Sequence, residues 1–532
     1  MPTLPEFRNE DLTDFSTPAN KAAMERAIAK ISAEAGREHP LVIGGERISG
    51  LGTFSSLNPA HKDQVVGKFQ KGSREHVERA IDVAWKAFES WKRQPVDVRA
   101  GVLLRAAKLM RERKHEFSAV MILEVGKTWA EADADTAEAI DFLEFYAREA
   151  YRYAADQPIT KIASEDNHLV YIPLGVGAVI PPWNFPLAIM AGMTTAALVS
   201  GNCVVLKPSS DSPWIAYRFF ELLEEAGMPA GVVNFVSGGG GEVGDPLIQH
   251  PRIRFISFTG SKQVGLHINE QAAKPREGQL WIKRVVAEMG GKDAIIVDRD
   301  FANLDEAATA VVASAFGFQG QKCSACSRAI IDEAIYDRIV PMIVEKTKAL
   351  RVADPTSGDS QFGPVVNEKA MKTIRQYIEK GTSEGGSLLA GGDVDPKDGF
   401  YVQPTVIGNV SPDATIAKEE IFGPVLAIIK SKDFDDAMRI ANDTEFGLTG
   451  AVFTDDEAKL ERAREEFFVG NLYLNRKCTG ALVGVHPFGG FNMSGTDSKA
   501  GGRDYLGLFL QAKAISRKVS KQPRTVAEAE AF

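Results

Sequence analysis

From residue 75 to 155, apolar side chains recur at helical spacing among Ala, Glu, Lys and Arg. Val96, Val102, Leu103, Ala106 and Leu109, in and just before RAGVLLRAAKLMRERK, mark one such face and predict a mainly helical stretch. Its last segment, DFLEFYAREAYRYAA, carries Phe142, Leu143, Tyr146 and Ala147 on one face. It gives way to ADQPITKIASEDNHLVYIPLG, a looser run that predicts a hairpin over 156–174.

Between Val176 and Ser261 the pattern changes to short β-branched runs, GVGAVI, NCVVLKP, GVVNFVSG and RFISFTGS, with helical spacing between them. Strand, turn and helix repeated at this length predict βαβ units and a parallel sheet. The last three runs end in KPSS, SGGGGEVG and FTGS. Small and polar residues therefore gather at the carboxyl ends of the strands, the edge at which open α/β sheets bind ligands. A second series, from KRVVAEMGGKDAIIVD through DEAATAVVASAFGFQ into GQKCSACSRAIID, predicts a second α/β domain. Beyond the Gly-rich GVHPFGGFNMSGTDSKAGG, the segment LGLFLQAKAISRKVS has strand character with a mixed face. It predicts an edge pairing, with another subunit as one candidate partner.

At 532 residues the chain exceeds one compact core, and about 150 residues per domain centres the expectation on three domains. A hydrophobic share of 44% with 25% charged residues excludes the disordered, fibrous and membrane classes. A net charge of −9 offers no basic footprint, so neither nucleic acid nor an anionic membrane surface is expected as a partner. The acidic start MPTLPEFRNEDLTDF does not resemble an export signal. The longest apolar stretch, LAIMAGMTTAALVSGNCVVL, is broken by Gly192, Thr194, Thr195, Ser200, Gly201 and Asn202, and predicts a buried helix feeding a strand. Cys203, Cys323, Cys326 and Cys478 are too few for a disulfide scaffold and fit a reducing cytoplasm.

Several residues in this frame could carry chemistry. SGGGGEVGDPL, with Gly240 and Gly244, reads equally as a phosphate-approaching turn and as a flexible loop, because its glycines do not fall as G-x-G-x-x-G. Lys207, just past a strand, could bond the ribose hydroxyls of a dinucleotide, and Thr259, Gly260 and Ser261 could support its pyrophosphate. An intracellular Cys is ordinarily a small buried hydrophobe. Cys323 instead falls at an exposed helix–strand junction beside Lys322, which would favour a thiolate if the two side chains meet. Cys-Ser-Ala-Cys also reads as a redox pair or as half a zinc site; no second C-x-x-C and no close His pair supplies the other half. Glu288, set among Val286, Ala287 and Met289 and followed by two glycines, reads as a half-buried base with a carboxylate free to move. Asn184 reads as a turn residue or as an amide donor to a developing oxyanion.

The motifs PWNFP (182–186), KPS (207–209), FTGS (258–261), EMGGK (288–292), GQKC (320–323), EEIFGPV (419–425) and PFGGF (487–491) resemble, in order and over nearly the whole chain, those of the aldehyde dehydrogenase superfamily. The resemblance implies a Rossmann-type NAD-binding domain (1–155 and 175–287), an α/β catalytic domain (288–485) and a small β oligomerisation flap (156–174 and 486–532). Carried over by position, it makes Cys323 the nucleophile, Asn184 and the Cys323 N–H the oxyanion hole, and Glu288 the base. It places Glu420 and Phe422 at the nicotinamide ribose and ring, Lys207 at the adenosine ribose, and Ser261 with Gly244 at the pyrophosphate. No metal is implied. Many members carry Glu after K-P-S to repel a 2′-phosphate; Ser210 stands there, so tolerance of NADP is an expectation.

Within the superfamily CSACSR, NRKCTGALVGVHPFGGFNMSGTDSKAGG and ADTAEAIDFLEFYA resemble the branch that oxidises L-glutamate γ-semialdehyde. That likeness implies Ser324, Gly480 and Ala481 at the substrate α-carboxylate, Glu138 at its ammonium, and Phe185 and Phe488 as apolar walls. It also implies a homo-oligomer, a dimer or a multiple of dimers, and a transient contact with proline dehydrogenase. A succinate-semialdehyde dehydrogenase, an acyl-CoA-forming dehydrogenase and a cysteine hydrolase or thioesterase stand as alternatives. Glu288 argues against the second, since transfer to CoA needs no water-activating base, and the cofactor motifs argue against the third.

Overall fold

A computed structural model describes residues 4–519. Four long helices, Arg74–Trp91, Val96–Glu112, Lys114–Val125 and Trp129–Ala154, occupy the region with helical spacing. The last of them is fixed at its start by a capping box: the Glu131 carboxylate accepts the Thr128 backbone N–H at 3.2 Å and its hydroxyl at 3.0 Å. Gly126, at φ 71°, closes Lys114–Val125 in the left-handed region that glycine tolerates, so that a single residue, Lys127, separates it from the Thr128 cap.

Two seven-stranded sheets carry the rest. The first is ordered Arg284–Glu288, Phe255–Thr259, Val176–Ile180, Cys203–Leu206, Val233–Phe235, Leu41–Ile43, Glu46–Ile48. Its first five strands are parallel, and 41–48 adds an antiparallel hairpin. Strand order reverses between Val176–Ile180 and Phe255–Thr259, which opens a crevice at their carboxyl ends. Asn184 follows one of these strands and Thr259 ends the other; Glu288 ends the next strand along, paired to Thr259. The second sheet runs Ser387–Ala390, Thr405–Gly408, Val425–Ser431, Cys326–Asp332, Asp293–Val297, Thr449–Phe453, Asn471–Leu474. It has its own buried layers on both faces.

The hairpin predicted over 156–174 does not form. Only Glu165–Pro173 is a strand, and it pairs antiparallel with Leu510–Lys518 from the far end of the chain, Leu510 opposite Pro173 and Lys518 opposite Glu165. The C-terminal strand therefore finds its edge partner within its own chain. Arg284 anchors the pair by donating to the carbonyls of Gly507, Leu508 and Leu510. Tyr505, Leu506 and Phe509 pack into the first core before the strand departs. Residues 1–3 and 520–532, included in the expected 1–155 and 486–532 segments, lie outside the described residues. No helix among those described is long and apolar enough to cross a membrane.

Candidate active site

Cys323 lies between the helix Leu304–Phe316 and the strand Cys326–Asp332, after a tight turn in which Phe318 and Gln319 adopt φ of 48° and 55°. Non-glycine residues in the left-handed region persist only when neighbours over-determine them. Here the Phe318 N–H is held by Glu131, and the Gln321 side chain accepts the Val366 N–H at 2.9 Å. The buried Asn184 side chain donates from Nδ2 to the Gln321 carbonyl at 3.1 Å, joining the PWNFP loop to the segment that carries Cys323. An amide nitrogen has two hydrogens, so one remains for an oxygen bound nearby.

Cys323 keeps a partial opening to solvent, yet enclosure by protein, followed by Asp293, Glu420 and Glu288, raises its thiol well above the ordinary range. The thiolate expected from Lys322 is not set up. The Lys322 ammonium lies 5.9 Å from the centre of the Phe185 ring, and Glu131 is its leading counter-charge.

The Glu288 carboxyl is pushed up to about 7 by burial. It is not loose, as its two following glycines suggested. It accepts the Gly490 N–H at 3.0 Å, the Ser498 N–H at 3.2 Å and the Ser498 hydroxyl at 2.6 Å. A carboxyl poised near 7 exchanges protons readily at neutral pH. Gly490 belongs to a recognisable motif; Ser498 carried no signal of its own, because its role exists only once the chain has folded back.

Glu420 is likewise pushed to about 7 by burial, against Lys292, and accepts the Gly291 N–H at 3.0 Å through one oxygen. Phe422 sits at φ 54° with its ring edge-on to Trp183 at 5.4 Å. Gly291, Lys322, Glu420 and Phe422 line one narrow cleft. At the other end of the crevice Lys207 is buried, held down to about 8 by desolvation, and donates to the Pro208 carbonyl at 3.2 Å. An ammonium so placed suits an added oxygen ligand.

The glycine run does not lead into a long helix. Gly240–Gly244 forms one wide turn before the five-residue Asp245–Gln249, and the Glu242 carboxylate folds against Gly239. Ser261 caps the helix Lys262–Ala273, its hydroxyl accepting from Val264 N–H at 3.4 Å, and Thr259 reaches Met193 sulfur at 3.6 Å; Gly260 lies between them. Ser210 opens onto a depression shared with Lys71, Arg74, Gly241 and Glu242.

Glu138 projects from Trp129–Ala154, half-buried and pushed up to about 8 by burial and then by Asp135 and Asp141, opposed by Lys127 and Lys322. Phe185 stands within 4.2 Å of the Lys127 ammonium. The Ser324 carbonyl takes the Cys478 S–H at 3.6 Å, which brings the turn bearing Gly480 and Ala481 alongside it; Gly480 is exposed at φ 81°. Phe488 is tied to Ala500 through both backbone groups. Cys326 packs against Cys478 rather than Cys323, and among the described residues no cluster of His, Cys, Asp or Glu could hold a metal ion.

A partly exposed Cys at a helix–strand junction, an amide donor tied to its loop, and two partly buried carboxyls near 7 are what a thiol-dependent oxidation of a carbonyl requires. The sequence profile of the aldehyde dehydrogenase family matches residues 47–515, and the chain belongs to that family. It is 57% identical over 510 residues to the 1-pyrroline-5-carboxylate dehydrogenase of Geobacillus sp. (strain WCH70), covering 96% of this chain and 99% of that one. Its fold matches a 1-pyrroline-5-carboxylate dehydrogenase from Thermus solved with bound NAD, at a TM-score of 0.95 and 48% identity, over 97% of this chain and 100% of the other. It also matches proline utilization A (PutA) from Bdellovibrio bacteriovorus at a TM-score of 0.95 and 43% identity, over 98% of this chain but 54% of that one.

Proposed function

We propose that this protein oxidises L-glutamate γ-semialdehyde, the open form of 1-pyrroline-5-carboxylate, to L-glutamate with NAD⁺, the second step of proline breakdown. The observation that carries the reading is the Asn184–Gln321 link beside Cys323, set in a chain 57% identical to a 1-pyrroline-5-carboxylate dehydrogenase over nearly its full length. Lys207, buried, and Glu420, partly buried, each with capacity for a further hydrogen-bonding partner, fit the two riboses of a dinucleotide, and Phe422 fits its nicotinamide ring. NAD⁺, when bound, accepts the hydride.

The chain's own residues do the rest. Cys323 gives up its proton to solvent through its partial opening, and its sulfur adds to the aldehyde carbon. The free Asn184 N–H and the Cys323 backbone N–H hold the oxygen as it gains charge. After oxidation the substrate is a thioester on Cys323; Glu288 takes a proton from water, the hydroxyl adds to the thioester carbon, and L-glutamate leaves as the thiol is restored. Ser324, Gly480 and Ala481 receive the α-carboxylate, Glu138 the ammonium, and Phe185 and Phe488 flank the chain.

The expected setting is a cytoplasmic homo-oligomer of the domains 1–155 with 175–287, 288–485, and a flap of 156–174 with 486–532. A transient contact with proline dehydrogenase supplies the labile substrate; likeness to PutA supports it. The test is NADH formation across an aldehyde panel: pyrroline-5-carboxylate should exceed succinate semialdehyde in kcat/KM, and the reverse order would overturn the substrate.

A further inference from the structure

Lys127 is fully buried, and its ammonium lies 3.1 Å from Asp135, an ion pair too oblique for a hydrogen bond. The same nitrogen stands 4.2 Å from the centre of the Phe185 ring and 4.2 Å from that of Phe318. These rings belong to different loops. Phe185 follows Asn184, whereas Phe318 sits in the strained turn leading to Cys323.

Neighbouring groups tie the same two loops to the same short segment. Asp135 accepts the Ala188 N–H at 2.7 Å, at the start of the helix after PWNFP, and Glu131 holds the Phe318 N–H. Stability does not explain the cation. A buried ion pair without good hydrogen bonds is commonly matched or exceeded by apolar side chains of equal size. A cation between two aromatic faces, in contrast, fixes their spacing, because its attraction falls off as either ring shifts.

We infer that Lys127 is a positioning residue for the reaction: its ammonium clamps the Phe185 and Phe318 rings and thereby sets the distance between the Asn184 amide and the Cys323 sulfur. The inference rests on the reading proposed above. It predicts that removing the clamp slows the chemistry of the bound aldehyde and leaves cofactor binding alone.

The test uses the full-length enzyme with pyrroline-5-carboxylate and NAD⁺, following kcat, the single-turnover rate of NADH formation, the KM for NAD⁺ and the thermal midpoint. K127M/D135N removes both charges at similar volume. It should lower kcat and the single-turnover rate about 30-fold, the combined worth of its two cation–π contacts, with an unchanged KM for NAD⁺ and no fall in the midpoint. A folded double variant with wild-type kcat and single-turnover rate would overturn the inference. If that variant does not fold, Phe318→Leu decides: removing one ring should lower kcat about tenfold at an unchanged KM for NAD⁺, and an unchanged kcat overturns the clamp. A wild type idle on pyrroline-5-carboxylate but active on another aldehyde would sink the substrate reading alone. The same ratios on that aldehyde would still decide the role of Lys127.

Discussion

The Asn184 side chain donates to the carbonyl of Gln321 at 3.1 Å, so the proposed oxyanion donor and the loop of the proposed nucleophile are one hydrogen-bonded unit before any substrate arrives. Donors fixed in advance need no reorganisation when charge develops on an oxygen. Asn184→Ala should therefore lower kcat by about 100- to 1000-fold while the Kd for NAD⁺, read by fluorescence quenching, stays put. Equal losses in both would instead point to a collapsed loop.

Glu288→Ala should separate the two halves of the reaction. Without the base, the first turnover should still release NADH, and later ones should be slow because water is no longer activated. Stopped-flow absorbance checks this: a burst followed by a weak steady state is expected, and parallel loss of both would assign Glu288 to thiol activation alone.

The pH dependence has a definite sign. Burial raises the Glu288 carboxyl to about 7, so it is protonated and unable to act as a base below that pH, and steady-state turnover should rise as pH increases through about 7. The Ser498 hydroxyl, bonded at 2.6 Å, favours the ionised form. Ser498→Ala should move the acidic limb of the kcat profile to higher pH by about one unit. A limb that stays in place or moves to lower pH contradicts the assignment.

Cofactor choice turns on Ser210 and the cations beside it. Lys71 and Arg74 share its depression with Glu242, and the two cations outnumber the one carboxylate there. NADP⁺ should support measurable turnover. Ser210→Glu should raise the KM for NADP⁺ at least about tenfold with little change for NAD⁺; no NADP⁺ turnover in the wild type removes the expectation.

The strands around the crevice were legible because parallel, doubly covered strands require uninterrupted apolar runs, and GVGAVI, CVVL and FISFT supply them. The placement of Cys323 between a helix and a strand, and of Glu288 at a strand end, was legible from the local pattern. What escaped depends on partners distant in sequence. Glu165–Pro173 read as half of a local hairpin from its own residues, and only the family resemblance grouped it with the C-terminal segment that holds its partner, Leu510–Lys518. Lys322 was placed beside the thiol by adjacency alone, whereas Glu131 is its leading counter-charge and Cys323 a lesser one. Lys127 carried no signal in the sequence, because its surroundings exist only once Gly126 turns the chain and two rings close over it.

The central claim is a covalent thioester on Cys323 formed from glutamate γ-semialdehyde. It is tested most directly by mixing the Glu288→Ala enzyme with pyrroline-5-carboxylate and NAD⁺, quenching in acid after the burst, and sequencing the peptides by mass spectrometry. A glutamyl adduct on Cys323, in amount equal to the NADH released and absent without NAD⁺, is the predicted result. NADH release with Cys323 unmodified, or with the adduct on Cys203, Cys326 or Cys478, would contradict it.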